Sequence, residues 1–551
     1  MRQLLIVLFL VSLLAPTASA SVFETRTPIL GWQSIKTEHF EVIYPPGAEA
    51  HAQRVAATLE ALHEPTQIDE RKHLWRLPVV LASDGSISNA YAAPFPRHST
   101  FYVAPVADIG EVDHTSNWLD LLSIHEYRHN LQHSHINRGF PRFVGWLLGP
   151  MGERMVTAYV LPDWYFEGDA VLTETAFTDG GRGRAPAFDV GLRALTAERG
   201  VLSYDQYHLG SIRYPIPDHY KFGYHMISYG REAYGADVWR ETIQRTAAWS
   251  PMPFAFPLNV KRTTGKYLRD YTAEVMEARS AQWALQREQT RMTVAEDVMP
   301  HPTEGYAVST RSPHPQPNGS VIAYQEGSAI APRIVQIEPG GEVTTLVRTG
   351  ARQTSRISVA AGAVVWDELA VDPVRGSRTY SVIRVYGSDG QVRNLTTKDR
   401  HFSPALSPDG RAVAAVLHTP ENTPALVVLD AETGEETWRL DYPVHHWIRT
   451  PTWAPDGQSL ALVHLTDHDG AGIEIVDIDS KVRTTLVEPS HTMISKPSLS
   501  ADYLFYTSAV SGLDAVWAVA LSDGARYRVA SRPFAAQDPM PSLDGESVYF
   551  T

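Results

Sequence analysis

The sequence predicts a multidomain α+β protein: a mixed α/β part, a mainly helical part, and then an all-β propeller. Three observations carry that prediction. The 551 residues exceed the roughly 250–300 that one hydrophobic core organises. The residue pattern changes from short alternating runs to helical spacing near residue 110, and back to β-rich runs near residue 298. Beyond that second change, one turn sequence recurs at a nearly constant interval. With 43% hydrophobic and 20% charged residues the chain can bury large cores, which excludes wholesale disorder, collagen and coiled coil. Forty-eight Lys and Arg against 62 Asp and Glu give a net charge of −14, and no long basic run is present. Nucleic-acid binding, which needs a cationic stripe, is therefore not expected. There is no cysteine, so disulfides, thiolate metal sites and cysteine nucleophiles are ruled out.

The first twenty residues have the form of an export signal. Arg2 precedes an apolar run over 4–15, Pro16 breaks it, and Ala18-Ser-Ala20 supplies the small residues of a cleavage site. Twelve apolar residues are too few to span a bilayer, and no other stretch is long enough. The expectation is a periplasmic or secreted bacterial protein that begins at Ser21 and has no membrane span once the signal is removed.

Residues 21–297 divide at about residue 110. In the first part, Phe40-Glu-Val-Ile-Tyr44 reads as a strand ended by Pro45-Pro46, and residues 48–62 carry apolar groups at helical spacing. Residues 77–82 and 100–104 read as further strands. From Trp118 to Arg287 the pattern is mainly helical. Here His125-Glu-Tyr-Arg-His129 lies in an apolar helix, where positions i and i+4 share one face, so both imidazoles can reach one zinc ion. Glu126 is placed to take the proton of an attacking water. Glu167, 38 positions after His129 and beside aromatic residues, fits a third ligand, and three protein ligands leave the open position of a catalytic zinc site. The apolar segment over 140–151 reads as ordinary packing in preference to a lid or cleft wall. Gly180-Gly-Arg-Gly183 reads as a plain loop, and His445-His446 as solvated surface residues.

Residues 298–551 repeat. Pro404-Ala-Leu-Ser-Pro-Asp-Gly410 returns as Pro451-Thr-Trp-Ala-Pro-Asp-Gly457, with weaker copies ending at Gly319, Gly362, Tyr503 and Gly545. The intervals are 43, 48, 47, 46 and 42 residues. A Pro-Asp-Gly turn followed by an alternating run is a strand-turn-strand unit, and a 40–50-residue period is that of propeller blades. The sequence stops at Thr551, one strand into the last unit. Either a strand from elsewhere completes that blade or the natural chain is longer, and the second is expected.

Two family resemblances follow from these motifs. The Ser-Pro-Asp-Gly blades over about 300–551 resemble the TolB-like (PD40) β-propellers. The His-Glu-x-x-His pair, Trp164-Tyr-Phe-Glu-Gly-Asp-Ala170 and Tyr220-Lys-Phe-Gly223 resemble the gluzincin zinc metallopeptidases over about 115–290, nearest to the aminopeptidase-N (peptidase MA-like) type. The resemblance implies a thermolysin/gluzincin-like domain over 21–297 with one Zn²⁺ held by His125, His129 and Glu167. It further implies Glu126 as general base, Tyr220 as the hydroxyl that stabilises the oxyanion, and Glu174 behind a zinc-bound histidine. The expected activity is hydrolysis of peptide bonds in a peptide or protein substrate, with the propeller binding that substrate or an envelope partner.

The chain departs from the aminopeptidases in three ways. Phe166 stands where Asn usually precedes the third ligand. The interval to Glu167 is longer than usual. No Gly-Ala-Met-Glu-Asn strand is present, and the nearest segment, Ser88 to Pro96, lacks an acidic residue. Aminopeptidase and endopeptidase action both stay open. The alternative of another class is a non-catalytic envelope scaffold with a degenerate peptidase domain, for which Glu126 has no chemical use. A serine peptidase of the prolyl oligopeptidase type needs a Gly-x-Ser-x-Gly elbow, and the sequence has none.

Overall fold

In the computed structural model, the described residues are 31–68, 76–83, 85–104, 115–211, 215–252, 254–299, 306–351, 356–375 and 378–551. The export signal over 1–20 lies outside them. The chain opens with β1 (Gln33–Lys36), β2 (Phe40–Tyr44), helix α1 (Glu49–His63), β3 (Leu77–Ala82), β4 (Asn89–Pro94) and β5 (Arg97–Tyr102). These strands form one sheet in the order β1-β2-β3-β5-β4, parallel at β2-β3 and β3-β5 and antiparallel elsewhere. The segment Ser88 to Pro96 thus contains the edge strand β4. Phe40, Val42, Val79, Leu81 and Phe101 alternate inward and meet α1 through Val55 and Leu59, as period-two strands covered by a helix should.

Ten helices are described in all. After α1 come α2 (Trp118–Ile136), α3 (Gly139–Val160), α4 (Asp163–Phe177), α5 (Pro186–Arg199) and α6 (Tyr204–Leu209). The last four are α7 (His219–Tyr234), α8 (Val238–Ala248), α9 (Ala255–Thr264) and α10 (Leu268–Gln289). Helix α2 is buried on most of its circumference and packs Leu119, Leu122, Tyr127 and Leu131 against the sheet. A second core, around Trp164, Phe222, Met226, Trp239 and Tyr271, joins α4, α7, α8 and α10.

Helix α3 departs from the expected packing. It folds back at Gly149, where φ is 73°, bringing Glu153 against Gly145. The tip points outward, leaving Trp146 81%, Leu147 61% and Leu148 65% exposed.

The remaining chain forms five antiparallel four-stranded sheets over 308–348, 358–394, 401–441, 447–490 and 494–530. A sixth sheet has two strands, Met540–Pro541 and Val548–Tyr549. The last unit therefore contains two strands, not the one expected. The first strand of this sixth sheet touches the first strands of both the fifth and the first sheets, so the sheets close into a ring. The repeated turn joins the first and second strands in each sheet, and Gly319, Gly410 and Gly457 take φ of 82°, 74° and 71° there, which glycine adopts without steric cost. Burial falls from the first strand of a sheet to the fourth, which runs along the outside. The first strands of four sheets share a bulge the sequence did not reveal, with Ser312, Ser403, Thr450 and Lys496 at positive φ.

The propeller packs on both preceding parts. Arg54 of α1 pairs with Asp120 (2.7 Å) and with Asp467 of the fourth sheet. The Asn117 amide, at the start of α2, donates to the His445 carbonyl (3.2 Å), and the Thr115 hydroxyl donates to that of His491 (3.1 Å). At the helical side, the Gln286 amide donates to the Gly512 carbonyl (2.7 Å). His445 and His446 are thus not solvated surface residues. His445 stacks edge-on with His51, and His446 is hydrogen-bonded to His464 (2.8 Å).

Burial lowers the pKa of His51 to about 3, of His314 and His401 to about 4, and of His418 well below its ordinary value. Unfolded histidine takes its proton near pH 6.5, whereas these stay neutral in the folded protein to about pH 4. The unfolded state then binds more protons, so stability is lost as pH falls from about 6.5 to about 4, by up to about 1.4 kcal/mol per pH unit for each group. Neither ring nitrogen of His418 has a hydrogen bond among the described residues, and the ring stacks on Trp447 (5.4 Å). We expect His418→Phe to lessen the fall in Tm between pH 7 and pH 5 measured by calorimetry; an unchanged slope would refute its share.

Candidate metal centre

Helix α2 carries the first part of the site. Its start is capped by Asn117, whose side-chain oxygen accepts from the Leu119 amide (3.0 Å), and the helix then runs unbroken through His125 and His129. Helix α4 brings Glu167 to the same place. His125 Nε2 lies 3.1 Å from His129 Nε2 and 3.1 Å from Glu167 Oε2, and His129 Nε2 lies 3.3 Å from that same oxygen. Ligands about 2.0–2.1 Å from a tetrahedral zinc stand about 3.3 Å apart, so the triangle has the size such an ion requires.

The outer nitrogens decide what the inner ones offer. Nδ1 of His125 donates to Glu174 Oε2 (3.1 Å), and Nδ1 of His129 donates to Gln132 Oε1 (2.9 Å). In that tautomer both Nε2 atoms present lone pairs toward a carboxylate oxygen. Burial opposes charge on His125, yet Glu167 and Glu174 raise its pKa to about 9, so without a metal a proton takes this place. Three such atoms at this spacing need a cation among them, a proton or a metal ion, and this donor set fits zinc. Glu174 is held in turn by Arg182, with Nε at 2.6 Å from Oε1 and Nη2 at 2.8 Å from Oε2. Arg182 Nη2 also lies 2.9 Å from His125 Nδ1. We assign the Nδ1 proton to the carboxylate, which is the stronger, charge-assisted pairing. Burial opposes charge on both acids, yet the histidines beside Glu167 and Arg182 beside Glu174 hold each carboxylate well below its usual range.

Glu126 is 5% exposed, and its Oε2 has no hydrogen-bond partner among the described residues. Burial pushes its pKa up against the pull of His129 and His125. An unpaired buried carboxylate oxygen is costly and calls for a reason, and a proton acceptor beside a reacting water is one. Tyr220 enters from α7, whose first turn is capped by Asp218 accepting from the Tyr220 and Lys221 amides (3.1 and 3.3 Å). Its ring lies 6.1 Å from that of His125, with the Arg182 guanidinium over it at 5.2 Å. Burial, then the nearby Glu167, pushes the hydroxyl pKa up, so it remains a proton donor.

Of the six predicted residues, His125, His129 and Glu167 converge on one point, Glu174 stands behind His125, the Tyr220 ring lies beside His125, and buried Glu126 is within electrostatic reach of both histidines. Sequence reading missed three supports. Arg182 belongs to the segment read as a plain loop; it forms a short 3-10 turn over Arg182–Arg184. Gln132, one turn beyond the His-Glu-x-x-His motif, also donates to Asp169 Oδ2 (2.9 Å). Asp169 receives Arg128 Nε (2.7 Å) and Arg231 Nη2 (2.8 Å), which ties α2 and α7 to α4 two residues beyond Glu167. Burial opposes that charge, but the two guanidiniums hold the Asp169 pKa down to about 2. The one available sequence cue was that Arg128 and Asp169 stand next to ligands in apolar helices.

No protein-family model and no curated protein matches the chain. Among solved structures, TolB from Acinetobacter baumannii is similar at 14% identity and a TM-score of 0.30, over 44% of this chain and 62% of that one. The propeller domain of the Trilobed protease from Pyrococcus furiosus is similar at 10% identity and a TM-score of 0.31, over 42% of this chain and 86% of that one. A prolyl endopeptidase is similar at 14% identity and a TM-score of 0.30, over 49% of this chain and 41% of that one. The propeller assignment rests on the chain's own sheet topology.

Two substitutions test how the site is assembled. Helices α4 and α7 cross where a Cβ on Gly223 would lie 2.0 Å from the Trp164 carbonyl oxygen and 3.0 Å from Gly168 Cα. Gly223→Ala is therefore expected to force the helices apart and lower Tm. Asp169→Asn leaves Arg128 buried without its carboxylate and is expected to cost about 3–5 kcal/mol in denaturant unfolding. Unchanged unfolding midpoints would refute both assignments.

Proposed function

We propose that the chain is an exported zinc-dependent peptidase. The observation that carries this reading is the convergence of two imidazole nitrogens and one carboxylate oxygen at 3.1–3.3 Å, near a buried Glu126 whose Oε2 has no hydrogen-bond partner among the described residues. His125, His129 and Glu167 would hold the ion, which when bound supplies a Lewis acid that polarises the scissile carbonyl and acidifies water. Glu126 accepts the proton of the attacking water and passes it to the leaving amine. The Tyr220 hydroxyl, kept protonated by its raised pKa, donates to the developing oxyanion. Glu174 and Gln132 hold the imidazoles in the tautomer that leaves Nε2 free.

A scaffold without catalysis has no use for Glu126, whose burial without a partner only costs stability. The propeller, fastened to the start of α2 through Asn117 and Thr115, would bind substrate or an envelope partner.

Glu126→Gln is expected to retain one zinc per chain by metal analysis and to lose cleavage of a peptide library. Tyr220→Phe is expected to lower kcat by about 10²–10³ with zinc retained. A chelator is expected to abolish cleavage and added zinc to restore it. Hydrolysis that survives Glu126→Gln would defeat the reading.

A further inference from the structure

Beside the metal centre, and taking no part in its chemistry, lies a cleft of about 1610 Å³. Its walls are the end of β4 at Pro94, the last turns of α2 at Asn130 and His133, the folded-back α3, and the region where α7 meets α8. Seven arginines line it against two carboxylates, Glu153 and Asp237, among the described residues. This is opposite to the protein as a whole, whose net charge is −14.

Several of these cations are not neutralised by the walls. Arg128 and Arg231 share the single carboxylate of Asp169, so that trio keeps one positive charge. Arg154 Nη1 lies 3.2 Å from His133 Nε2, an imidazole and not an acid, and its guanidinium stands 5.9 Å from the Phe166 ring, next to Glu167. Arg142 is exposed and makes no ion pair among the described residues. Low-dielectric walls concentrate the field of such charges, and planar guanidiniums match carboxylates in a bidentate fork.

We propose that this cleft binds acidic side chains of a polypeptide lying across the metal centre, a specificity subsite that rests on the peptidase reading. Position favours a peptide over a small anion. The cleft continues along α2 one turn beyond His129, and it begins where β4 ends. Strand β4 pairs only with β5 among the described residues, so its other edge offers main-chain groups to an extended chain. A peptide on that edge would reach the arginines at Pro94, where the cleft begins.

The test uses the full chain carrying Glu126→Gln, so that binding is read without turnover. Fluorescence anisotropy compares two labelled peptides of equal length, one with four glutamates and one with four glutamines in their place, at low salt. The acidic peptide is expected to bind about tenfold tighter, an advantage lost at about 0.5 M salt as screening shortens the reach of charge. Arg142→Glu, at an exposed position that should not disturb folding, is expected to weaken the acidic peptide about fivefold or more and leave the glutamine peptide unchanged. Equal binding of the two peptides, or an Arg142→Glu variant that binds like its parent, overturns the proposal. Tight binding of pyrophosphate with equal peptide binding overturns it in favour of a phosphate-bearing small ligand. Wild-type enzyme that cleaves both peptides with the same kcat/KM also removes the subsite while leaving the peptidase intact. Conversely, acidic binding without any wild-type cleavage removes the peptidase reading and leaves the cleft as an acidic-peptide site.

Discussion

The Asp169 carboxylate is the fixed point on which the candidate metal centre depends. It is buried and receives Arg128 and Gln132 from α2 and Arg231 from α7. A charged hydrogen bond in a dry interior tolerates little displacement, because its partners cannot turn to water instead. Arg128 directly precedes His129, and Asp169 follows Glu167 by two residues. The ion pair therefore sets the distance between the imidazoles and the third carboxylate without touching either.

Two further constraints complete the geometry. Gly168 and Gly223 let α4 and α7 approach at backbone contact, and that closeness carries Tyr220 to the same point as Glu167. Around the ligands, each outer group has its own support: Glu174 orients His125, Arg182 holds Glu174, and Gln132 orients His129. Glu126 stands apart because no described residue satisfies its Oε2. A site in which every neighbour but one is paired directs attention to that one.

The propeller and the helical part are mechanically joined at the site. Asn117 both caps α2 through the Leu119 amide and reaches the His445 carbonyl of the propeller. Any shift of the propeller is thus felt at the first turn of the helix that bears both histidines. Folded-back α3, which follows the other end of α2, turns polar residues such as Arg154 toward the cleft and its apolar tip outward. The candidate metal centre, midway along α2, therefore lies between a propeller contact at the start of that helix and a cationic cleft at its end.

Features that depend on neighbours in the chain were legible in the sequence. The His125-to-His129 spacing on an apolar helix, the Phe40-to-Tyr44 alternation and the Pro-Asp-Gly turns each follow from local periodicity or a local backbone demand. The ring of sheets follows as well, since a repeat that cannot bury its own faces must stack against its copies. The rest required distant parts to meet. Arg182 looked like part of a glycine-rich loop until Glu174 came within 2.6 Å of it, and the exposure of Trp146 was hidden because an apolar segment reads alike whether it is covered or bare. The bulges at Ser312, Ser403, Thr450 and Lys496, the place of His445 against α2, and the gathering of arginines from β5, α2, α3, α7 and α8 belong to the same class. Sequence by itself determined which side chains could bind a metal and which runs would be strand or helix, because those properties reside in a few adjacent residues. Tertiary structure alone decided which charges are paired and which face a cleft, because Coulomb and hydrogen-bond energies depend on separations in space that no spacing along the chain encodes.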